Sequence, residues 1–316
     1  MARLIGASAE DIILGNSTSY GLHLLVNGIP WKAGEEVLLV EGDFPATTLP
    51  WLLLEKRGVT VRFVRPRGTG LEPDELAANL RSSTRLFCTN WVNSFSGYAV
   101  DIHALAEVCR DHNVLFVLNA SQALGYIPLD VGTAQLDAIT CCGFKWLCGL
   151  YATGFCWIRP PLRETLECHQ AYWLNIQGRA ALHERAMLQL PTDLGASAFD
   201  IFCTANFVNF MAWTASVELL NGIGIPRINE HNQNLVSRLA EALDQRPYKL
   251  LSPREGPNRS ALVIATHTDP NQNSTLFRCL QDAGIDVAIR RGNLRFSPHL
   301  YNTPEDIGRA LSVLYP

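Results

Sequence analysis

The sequence predicts an α/β fold built on a mostly parallel sheet that is covered by helices on both faces. Three observations support this: strand-like segments alternate with helix-like segments, several strands are apolar throughout, and polar turns follow the strands. Continuous apolar strands are typical of sheets buried on both faces, and strand–helix alternation is typical of parallel pairing. The strands expected in the first half of the chain cover residues 12–14, 36–41, 59–64, 86–90, 114–118, 137–141 and 154–158.

Helices are expected between these strands. Pro73 stands at an early helical position, which tolerates proline. A second helix starts after the turn 43–45 and is closed by Gly58, because glycine commonly ends helices. The expected helices cover residues 22–26, 45–55, 73–80 and 102–112.

The C-terminal part of the chain is typical of a smaller α+β domain, and residues 168–200 before it show no clear period. Gly222 and Gly224 are expected to interrupt its first helical region. We predict a large domain over residues 1–215 and a small domain over residues 216–316. The C-terminal helices are expected at 206–220, 227–243, 274–283 and 304–314, and the strands at 248–251, 261–266, 285–289 and 294–297.

Composition and charge describe an ordinary globular protein. The 316 residues are 47% hydrophobic and 18% charged, with a formal net charge of −4. This charge indicates no basic surface for nucleic acid or for an anionic membrane. No apolar run reaches transmembrane length, and the N-terminus lacks a signal pattern. We therefore expect a cytoplasmic protein with no nucleic-acid or membrane partner.

The nine cysteines do not form a metal-binding pattern. They are scattered, with no pair of CxxC motifs and no Cys/His cluster at zinc spacing. Cys141 and Cys142 are neighbours on a predicted strand, so they point to opposite faces and cannot easily share one metal. We expect reduced core cysteines and no metal site, and single out Cys142 as the one candidate for another role.

Lys145 lies between Phe144 and Trp146 in a glycine-bracketed turn that joins two apolar strands. An amine among aromatic side chains, with no acid beside it, is poorly hydrated. Its neutral form is then favoured and can attack a carbonyl to form a Schiff base. Alternatively, the side chain extends from the strand end and keeps its ammonium group in water. The residues alone leave both interpretations open.

Polar turns follow five of the predicted strands, and they are expected to meet. The carboxyl ends of parallel strands lie at one edge of a sheet, where ligands of such folds bind. One of these turns places Ser17, Thr18 and Ser19 before a helix. Such hydroxyl residues serve either an anion site or a plain N-cap. The five turns are residues 15–21, 43–45, 90–97, 119–122 and 142–145.

Three ordered motifs resemble the class V aminotransferase family of pyridoxal-phosphate enzymes, which have fold type I. They are FKWLCGLYATGF at 144–155, LNASQALGYIPLD at 118–130 and LRFSPHLYNTPED at 294–306. The family includes cysteine desulfurases, isopenicillin-N-epimerase-like proteins and kynureninase, and the resemblance covers nearly the whole chain. It implies a seven-stranded-type sheet in the large domain, pyridoxal 5'-phosphate as cofactor, and a homodimer with shared active sites.

The resemblance also implies roles for single residues. Lys145 is the Schiff-base lysine that moves the proton at the substrate's α-carbon. Arg295 holds the substrate carboxylate, with Arg290 as a second candidate. The other implied cofactor contacts are Thr18 and Ser19 at the phosphate, Phe44 stacked on the ring, Asn93 and Gln122 at the phenolic oxygen, Asn119 at the ring nitrogen, Cys142 in place of a phosphate-binding serine, and Thr204 at the phosphate of the second subunit.

The chain departs from the family pattern in several places. Asn119 stands where relatives have an aspartate that pairs with the protonated ring nitrogen, so the ring is a poorer electron sink. Residues 291–295 form a connection too short for the mobile cysteine loop of desulfurases. Phe199 replaces an arginine that is common in relatives, without a functional explanation. The N-terminal segment of relatives is expected to be missing.

We therefore expect a pyridoxal-phosphate enzyme that acts on an α-amino acid through Lys145. Aminotransferase, C–S or C–X lyase and epimerase remain open, whereas a typical persulfide-forming cysteine desulfurase is not expected. Transamination relies most on the electron sink, so Asn119 favours elimination or epimerisation. The alternative is a non-catalytic homologue that keeps the fold as a binding or scaffold protein. The retained Lys145, Thr18, Gln122 and Arg295 argue against it.

Overall fold

A computed structural model of the chain describes residues 1–167, 195–202 and 206–315. The first half of the chain builds a seven-stranded sheet. Its strands are β1 (Ile12–Gly15), β2 (Glu36–Val40), β3 (Thr60–Val64), β4 (Thr84–Asn90), β5 (Leu115–Asn119), β6 (Ala138–Cys142) and β7 (Gly154–Ile158). Their spatial order is β1-β7-β6-β5-β4-β2-β3.

The sheet is parallel except where β7 joins it. β2 pairs in parallel with β3 and β4, and the parallel ladder continues through β5 to β6. β7 runs antiparallel to both β6 and β1. The predicted α/β class with a mostly parallel sheet is confirmed, and the two strands expected around Lys145 are the neighbours β6 and β7.

Both faces of the sheet are buried in separate apolar cores, as continuous apolar strands predict. Successive residues of β2 alternate between them: Leu38 and Val40 belong to one core, Val37 and Leu39 to the other. All five residues of β2 are buried. The helices of the first half of the chain are Ala2–Ile5, Thr18–Gly28, Pro45–Thr48, Pro73–Asn79, Ile102–Asp111, Val131–Ala134 and Pro160–Arg163.

The segment expected as one helix over 45–55 consists of two pieces. A short α-helix, Pro45–Thr48, is followed by a 3₁₀ helix, Leu49–Arg57, which ends at Gly58 with φ 76°. Pro50 lacks the backbone N–H that would continue the α-helical ladder, so the chain tightens there. The expected stop at Gly58 is confirmed.

The C-terminal part forms a second, four-stranded antiparallel sheet. Its strands are β8 (Tyr248–Leu250), β9 (Val263–His267), β10 (Ala288–Arg290) and β11 (Asn293–Phe296), in the order β10-β11-β9-β8. The strand expected at 285–289 begins later, because the Ile285 N–H bonds to the Leu280 carbonyl and closes the preceding helix through Gly284, with φ 71°. The helices are Phe207–Ile223, Ile225–Asp244, Asn273–Asp282 and Pro304–Leu314.

The helix Phe207–Ile223 connects the large sheet to the small one. It passes through Gly222 without interruption and ends at Gly224, whose φ of 93° leaves the helical region. The expected break at Gly222 is therefore wrong, and the break at Gly224 is confirmed. The domain boundary predicted after residue 215 lies inside this helix and stays a prediction. No helix in the described ranges is long and apolar enough to cross a lipid bilayer.

The small sheet is held against the loop that follows β4. The Ser260 hydroxyl donates to the Gly97 carbonyl at 2.6 Å, and Tyr98 pairs with Arg259 in an isolated antiparallel bridge. A β-carbon at Gly97 would lie 2.7 Å from the Leu262 carbonyl, so this close approach requires glycine. These contacts place the hairpin β10–β11 beside the carboxyl ends of the large sheet.

Candidate active site

The turn after β1 leads into the helix Thr18–Gly28, and Ser17 supplies its cap. The Ser17 hydroxyl accepts a hydrogen bond from the Tyr20 backbone N–H at 3.3 Å. The side chains of Thr18 and Ser19 follow in the first turn, where backbone N–H groups point away from the helix. Ser17 caps this helix, so capping does not explain why hydroxyl side chains also stand at Thr18 and Ser19.

Ser121 connects this helix to the ends of two central strands. Its hydroxyl forms a short hydrogen bond with the Thr18 hydroxyl and accepts one from the Cys142 backbone N–H at 3.3 Å. Ser121 is buried, as are Thr18 and Cys142. The sequence interpretation assigned no role to Ser121, although it lies in the same motif as Asn119 and Gln122. The turns after β1, β5 and β6 thus meet.

Asn119 is the centre of a buried amide network at the end of β5. Its Nδ2 donates to the Thr47 hydroxyl at 2.7 Å and to Asn90 Oδ1 at 3.0 Å. Its Oδ1 accepts the Ser121 backbone N–H at 3.0 Å and keeps one lone pair for another donor. Asn90 Nδ2 is buried without a partner among the described residues. An amide suits this place because it both donates and accepts.

Asp43 is a buried acid beside this network that the sequence interpretation missed. Its carboxylate accepts hydrogen bonds from the Thr89 hydroxyl at 2.9 Å, the Asn90 backbone N–H at 3.0 Å and Asn93 Nδ2 at 3.1 Å. Burial raises the pKa of Asp43 to about 6, against the effect of these donors. Its position directly before Phe44 was the available signal.

Asn93 shapes the loop after β4, and the cofactor contact that the resemblance implies for it stays a prediction. Its Oδ1 accepts the backbone N–H groups of Phe95 and Ser96 at 2.9 and 3.0 Å, and its Nδ2 is bonded to Asp43. Asn93 lines a cavity of about 690 Å³ between the strand ends and the hairpin β10–β11, and not the cavity at Lys145. Its side chain therefore holds the loop in place.

Lys145 lies in a smaller cavity between the two sheets. It is partly buried and forms no hydrogen bond or ion pair within the described residues. Its Nζ is 5.5 Å from the centre of the Phe44 ring. The amine is therefore neither buried among aromatic rings nor fully in water. The cavity measures about 210 Å³ and is lined by Gln122, Phe144, Lys145, Trp146, Leu262, Arg295, Ser297, His299 and Tyr301.

Gln122 is fixed beside Lys145 by neighbours on two sides. Its Oε1 accepts the Trp146 indole N–H at 3.0 Å, and its Nε2 donates to the Ser94 hydroxyl at 3.3 Å. The second N–H of the amide has no partner within the described ranges. The side chain therefore offers one directed donor at this end of the cavity.

Arg295 enters the same cavity from the small sheet. Its Nη1 donates to the Ser94 carbonyl at 3.4 Å, and its Nε–H is buried without a partner in the described part of the chain. Burial, with a contribution from Arg290, lowers the pKa of Arg295 to about 10. Arg290 lies on β10, is exposed, and donates to the carbonyl of Ile289 at 2.9 Å. Arg295 is thus the better candidate for a carboxylate.

His299 was not predicted, although it lies in the third motif. It is buried, and its Nε2 is 3.0 Å from the Trp146 carbonyl and 3.5 Å from Cys148 Sγ. Burial lowers the pKa of His299 to about 4, so the ring is neutral at physiological pH. A neutral ring that donates through Nε2 fixes the backbone next to Lys145.

The remaining expectations concern cysteines, metals and Thr204. No three His, Cys, Asp or Glu side chains gather as a metal site in residues 1–167, 195–202 and 206–315. Cys148 and Cys279 are exposed, so the expectation of core cysteines is wrong for these two. Thr204 lies outside the described residues. Among the described residues, the buried cysteines are Cys88, Cys109, Cys141, Cys142 and Cys156.

Comparisons with known proteins identify the family and the fold of the chain. The family model described as aminotransferase class-V matches residues 1–309. A probable cysteine desulfurase from Methanothermobacter thermautotrophicus is 26% identical over 97% of this chain and 79% of its own length. Isopenicillin N epimerase from Streptomyces clavuligerus is 23% identical over 99% and 82%. The structure of the cystine C–S lyase C-DES in complex with cysteine persulfide superposes with a TM-score of 0.89 at 20% identity, over 99% of this chain and 83% of that one.

Proposed function

Because this chain belongs to the aminotransferase class-V family, a family of pyridoxal-phosphate-dependent enzymes, we propose that it breaks a C–S bond of a sulfur-containing α-amino acid at Lys145. The observation that carries this proposal is the cavity that is lined both by Lys145 and by Arg295, whose Nε–H is unpaired within the described residues. An amine and a guanidinium in one cavity match the α-carbon and the carboxylate of an amino acid.

The residues at the strand ends fit the phosphate of the cofactor. The helix Thr18–Gly28 presents its N-terminus there, which favours an anion through its backbone N–H groups and dipole. Ser19 adds a hydroxyl donor, Thr18 and Ser121 leave one O–H between them because the other joins the two, and the Cys142 backbone is held by Ser121. These residues would hold the phosphate, and the Cys142 thiol would be a weaker donor than a serine hydroxyl.

The residues expected around the cofactor ring also fit that ring, and Asn119 has one chemical consequence for it. Phe44 offers an aromatic face that is 37% exposed, and Asn119 Oδ1 has one lone pair free for a ring N–H. A neutral amide cannot balance a positive charge on that nitrogen as a carboxylate would. The cofactor, when bound, would supply an electron sink for the α-carbon, and Asn119 would make that sink weaker.

Within this site the chain's own groups bind the substrate and move its proton. Arg295 would hold the carboxylate by charge-assisted hydrogen bonds and so orient the α-carbon. Lys145 lines the same cavity and would move the proton at the α-carbon. His299 and Gln122 hold Trp146, the next residue in the chain, and so fix the backbone beside the lysine.

The hairpin β10–β11 favours elimination over persulfide transfer. Arg290 pairs with Asn293, so Arg291 and Gly292 form a two-residue turn without a cysteine. None of the described residues that line the Lys145 cavity is a cysteine. Sulfur would then leave with its bonding electron pair, and the unsaturated product would hydrolyse to a keto acid and ammonia. The desulfurase named among the relatives instead favours alanine and an enzyme persulfide as a second candidate outcome.

We also propose that the protein is a homodimer. The helix Phe207–Ile223 exposes large apolar side chains, which a second copy would cover. The exposed residues of this surface are Phe207, Val208, Met211 and Leu219. Analytical ultracentrifugation of the wild type beside a Phe207→Glu, Met211→Glu variant tests this, and a wild-type monomer would contradict it.

The first test is the visible spectrum of the protein with pyridoxal phosphate, before and after borohydride. The wild type should show a yellow band that borohydride removes, and peptide mapping should find the reduced cofactor on Lys145. A Lys145→Ala variant should lack the band. A wild type that takes up no cofactor would contradict the enzymatic proposal and leave the non-catalytic scaffold.

The second test identifies products from L-cystine, L-cysteine and a panel of other amino acids. Pyruvate and ammonia from L-cystine would support C–S elimination. Alanine with sulfide would support the desulfurase, an aminated cofactor with a keto acid would support transamination, and loss of chirality alone would support epimerisation. The last three results would each overturn the lyase.

A further inference from the structure

The tip of the hairpin β10–β11 is occupied by a residue that the turn does not favour. Arg291 has φ 49° and Gly292 has φ 79°, so both turn positions are left-handed. Two-residue hairpins of this kind prefer Asn-Gly, because asparagine and glycine tolerate positive φ and longer side chains do not. An arginine at this position is strained and needs a reason outside the hairpin.

The reason lies in contacts that the Arg291 side chain makes with the large sheet. Its guanidinium lies over the Phe95 ring, 4.0 Å from the ring centre. Its Nη2 donates to the Gly42 carbonyl at 3.5 Å. Gly42 precedes the turn at the end of β2, and Phe95 belongs to the loop after β4. Arg291 thus joins the tip of the small-sheet hairpin to two loops beside the candidate active site.

Phe95 in turn contacts the aromatic ring next to Lys145. The rings of Phe95 and Phe44 stack with centres 6.3 Å apart and planes inclined by 26°. The Phe44 ring lies 5.5 Å from Lys145 Nζ. Cations over aromatic faces and stacked rings are both attractive arrangements. Arg291, Phe95, Phe44 and Lys145 therefore form a continuous ladder from the hairpin to the reactive amine.

The backbone beneath the ladder is already fixed by Asp43 and Asn93. Asn93 Oδ1 accepts the Phe95 backbone N–H at 2.9 Å, and Asp43 holds Asn93 Nδ2 at 3.1 Å. The Phe44 ring, in contrast, is 37% exposed and packs on one side against Phe95. The orientation of the Phe44 ring therefore depends on Phe95, and the Phe95 ring is in turn contacted by the Arg291 guanidinium.

We propose that Arg291 is a positioning residue that fixes the Phe44 ring through Phe95, and so sets the aromatic face that would hold the cofactor ring. The inference rests on the proposed function for the cofactor, but the orientation of Phe44 does not depend on it. Arg291 also links the small sheet to this face, so a movement of the hairpin changes the support of the cofactor ring.

The first experiment follows Phe44 directly. 4-Fluorophenylalanine is placed at position 44, and its fluorine resonance is recorded with and without pyridoxal phosphate in the wild type, Arg291→Ala and Arg246→Ala. Arg246 also lies over an aromatic ring, Tyr315, at 3.6 Å, but in another part of the small sheet's domain, which makes it a matched control. Arg291→Ala should shift or broaden the resonance, and Arg246→Ala should leave it unchanged.

The second experiment measures retention of the cofactor after rapid dilution, together with KM and kcat. Loss of an exposed cation–aromatic contact is expected to speed cofactor release roughly three-fold in Arg291→Ala. Arg291→Lys should fall between wild type and Arg291→Ala, because it keeps a cation but not the planar group. The effects of Arg291→Ala and Phe95→Leu should be less than additive when combined, since both break one ladder.

Three outcomes would overturn the proposal. An unchanged Phe44 resonance in Arg291→Ala would show that the arginine does not fix the ring. A higher KM with unchanged cofactor release would mean that Arg291 binds substrate directly. Equal effects of Arg291→Ala and Arg246→Ala would indicate general stability only. If the wild type lacks the borohydride-sensitive band, the proposed function fails, and the fluorine resonance without cofactor still decides on Arg291.

Discussion

The polar edge of the large sheet and the cavity at Lys145 are neighbours that satisfy their polar groups in opposite ways. At the sheet edge, the side chains of Asn119, Asp43 and Asn93 belong to one network of hydrogen bonds, which includes side-chain and backbone groups. In the cavity, Lys145 and the Arg295 Nε–H find no partner among the described residues. Buried polar groups are usually paired, because an unpaired one costs roughly 1–3 kcal/mol.

This difference distinguishes the hydrogen-bonded framework at the sheet edge from the binding site in the cavity. The sheet edge is rigid before any ligand arrives, although Asn90 Nδ2 is left unpaired there. The cavity keeps its donors free for a ligand that supplies the missing acceptors. We therefore expect changes in the cavity to affect catalysis strongly, and changes at the sheet edge to affect stability and the choice of reaction.

The largest effect is expected from Arg295→Gln in the cavity. Losing a buried, charged donor to a carboxylate should lower kcat/KM for an amino acid roughly 100-fold, mainly through KM. Arg295→Lys should recover part of this loss. Arg290→Gln should have a smaller effect, because Arg290 is exposed.

A matched pair of substrates checks that prediction. The variant is assayed with a sulfur amino acid and with the corresponding amine that lacks the carboxylate. Only the amino acid should lose reactivity. An equal loss for both would show that Arg295 does not bind the carboxylate.

A smaller effect, visible in stability, is expected from Asp43→Asn at the sheet edge. The folded-state pKa of Asp43 is raised to about 6, so its contribution to stability is full at low pH and is lost as pH rises through about 6. The free energy of unfolding of the wild type, relative to Asp43→Asn, should fall by roughly 2–3 kcal/mol between pH 4 and pH 7.

Chemical denaturation of both proteins at several pH values measures this. Asp286→Asn removes an exposed carboxylate outside the site and serves as control. A difference between wild type and Asp43→Asn that stays constant with pH would show that Asp43 is ionised alike in both states.

The smallest effect on stability is expected from Asn119→Asp. A carboxylate would face the Oδ1 of Asn90, but Asn90 has an unpaired Nδ2 and can turn its amide over to donate. The change should therefore cost only about 1 kcal/mol. A carboxylate at the ring nitrogen strengthens the electron sink, so the share of aminated cofactor among the products should rise roughly three-fold.

The product assay and thermal unfolding test this prediction together. Asn119→Ala, which removes the network without adding charge, is the control and should lower stability without raising transamination. An unchanged product ratio in Asn119→Asp would place Asn119 away from the ring nitrogen.

The sequence by itself determined the class of fold and the region of the site. Short apolar runs that are bounded by turns and alternate with helices predicted strands of a mostly parallel sheet, and the pairings from β2 to β6 are parallel. The carboxyl ends of parallel strands meet at one edge, so the turns with Thr18, Asn119 and Lys145 had to lie near one another. Local chemistry also set the helix ends at Gly58 and Gly224.

Only the tertiary structure decided which polar groups are paired. Asn93 Oδ1 closes a local turn with the backbone N–H groups of Phe95 and Ser96, whereas only the fold brings Asp43 to its Nδ2. The cofactor contact that the resemblance implies for Asn93 stays a prediction. Asp43 and Ser121 gained their importance from burial, which no local pattern records. Arg291 reads as an exposed arginine at a hairpin tip until the two sheets are brought together. Pairing, burial and strain depend on contacts between distant segments, and these exist only in the folded chain.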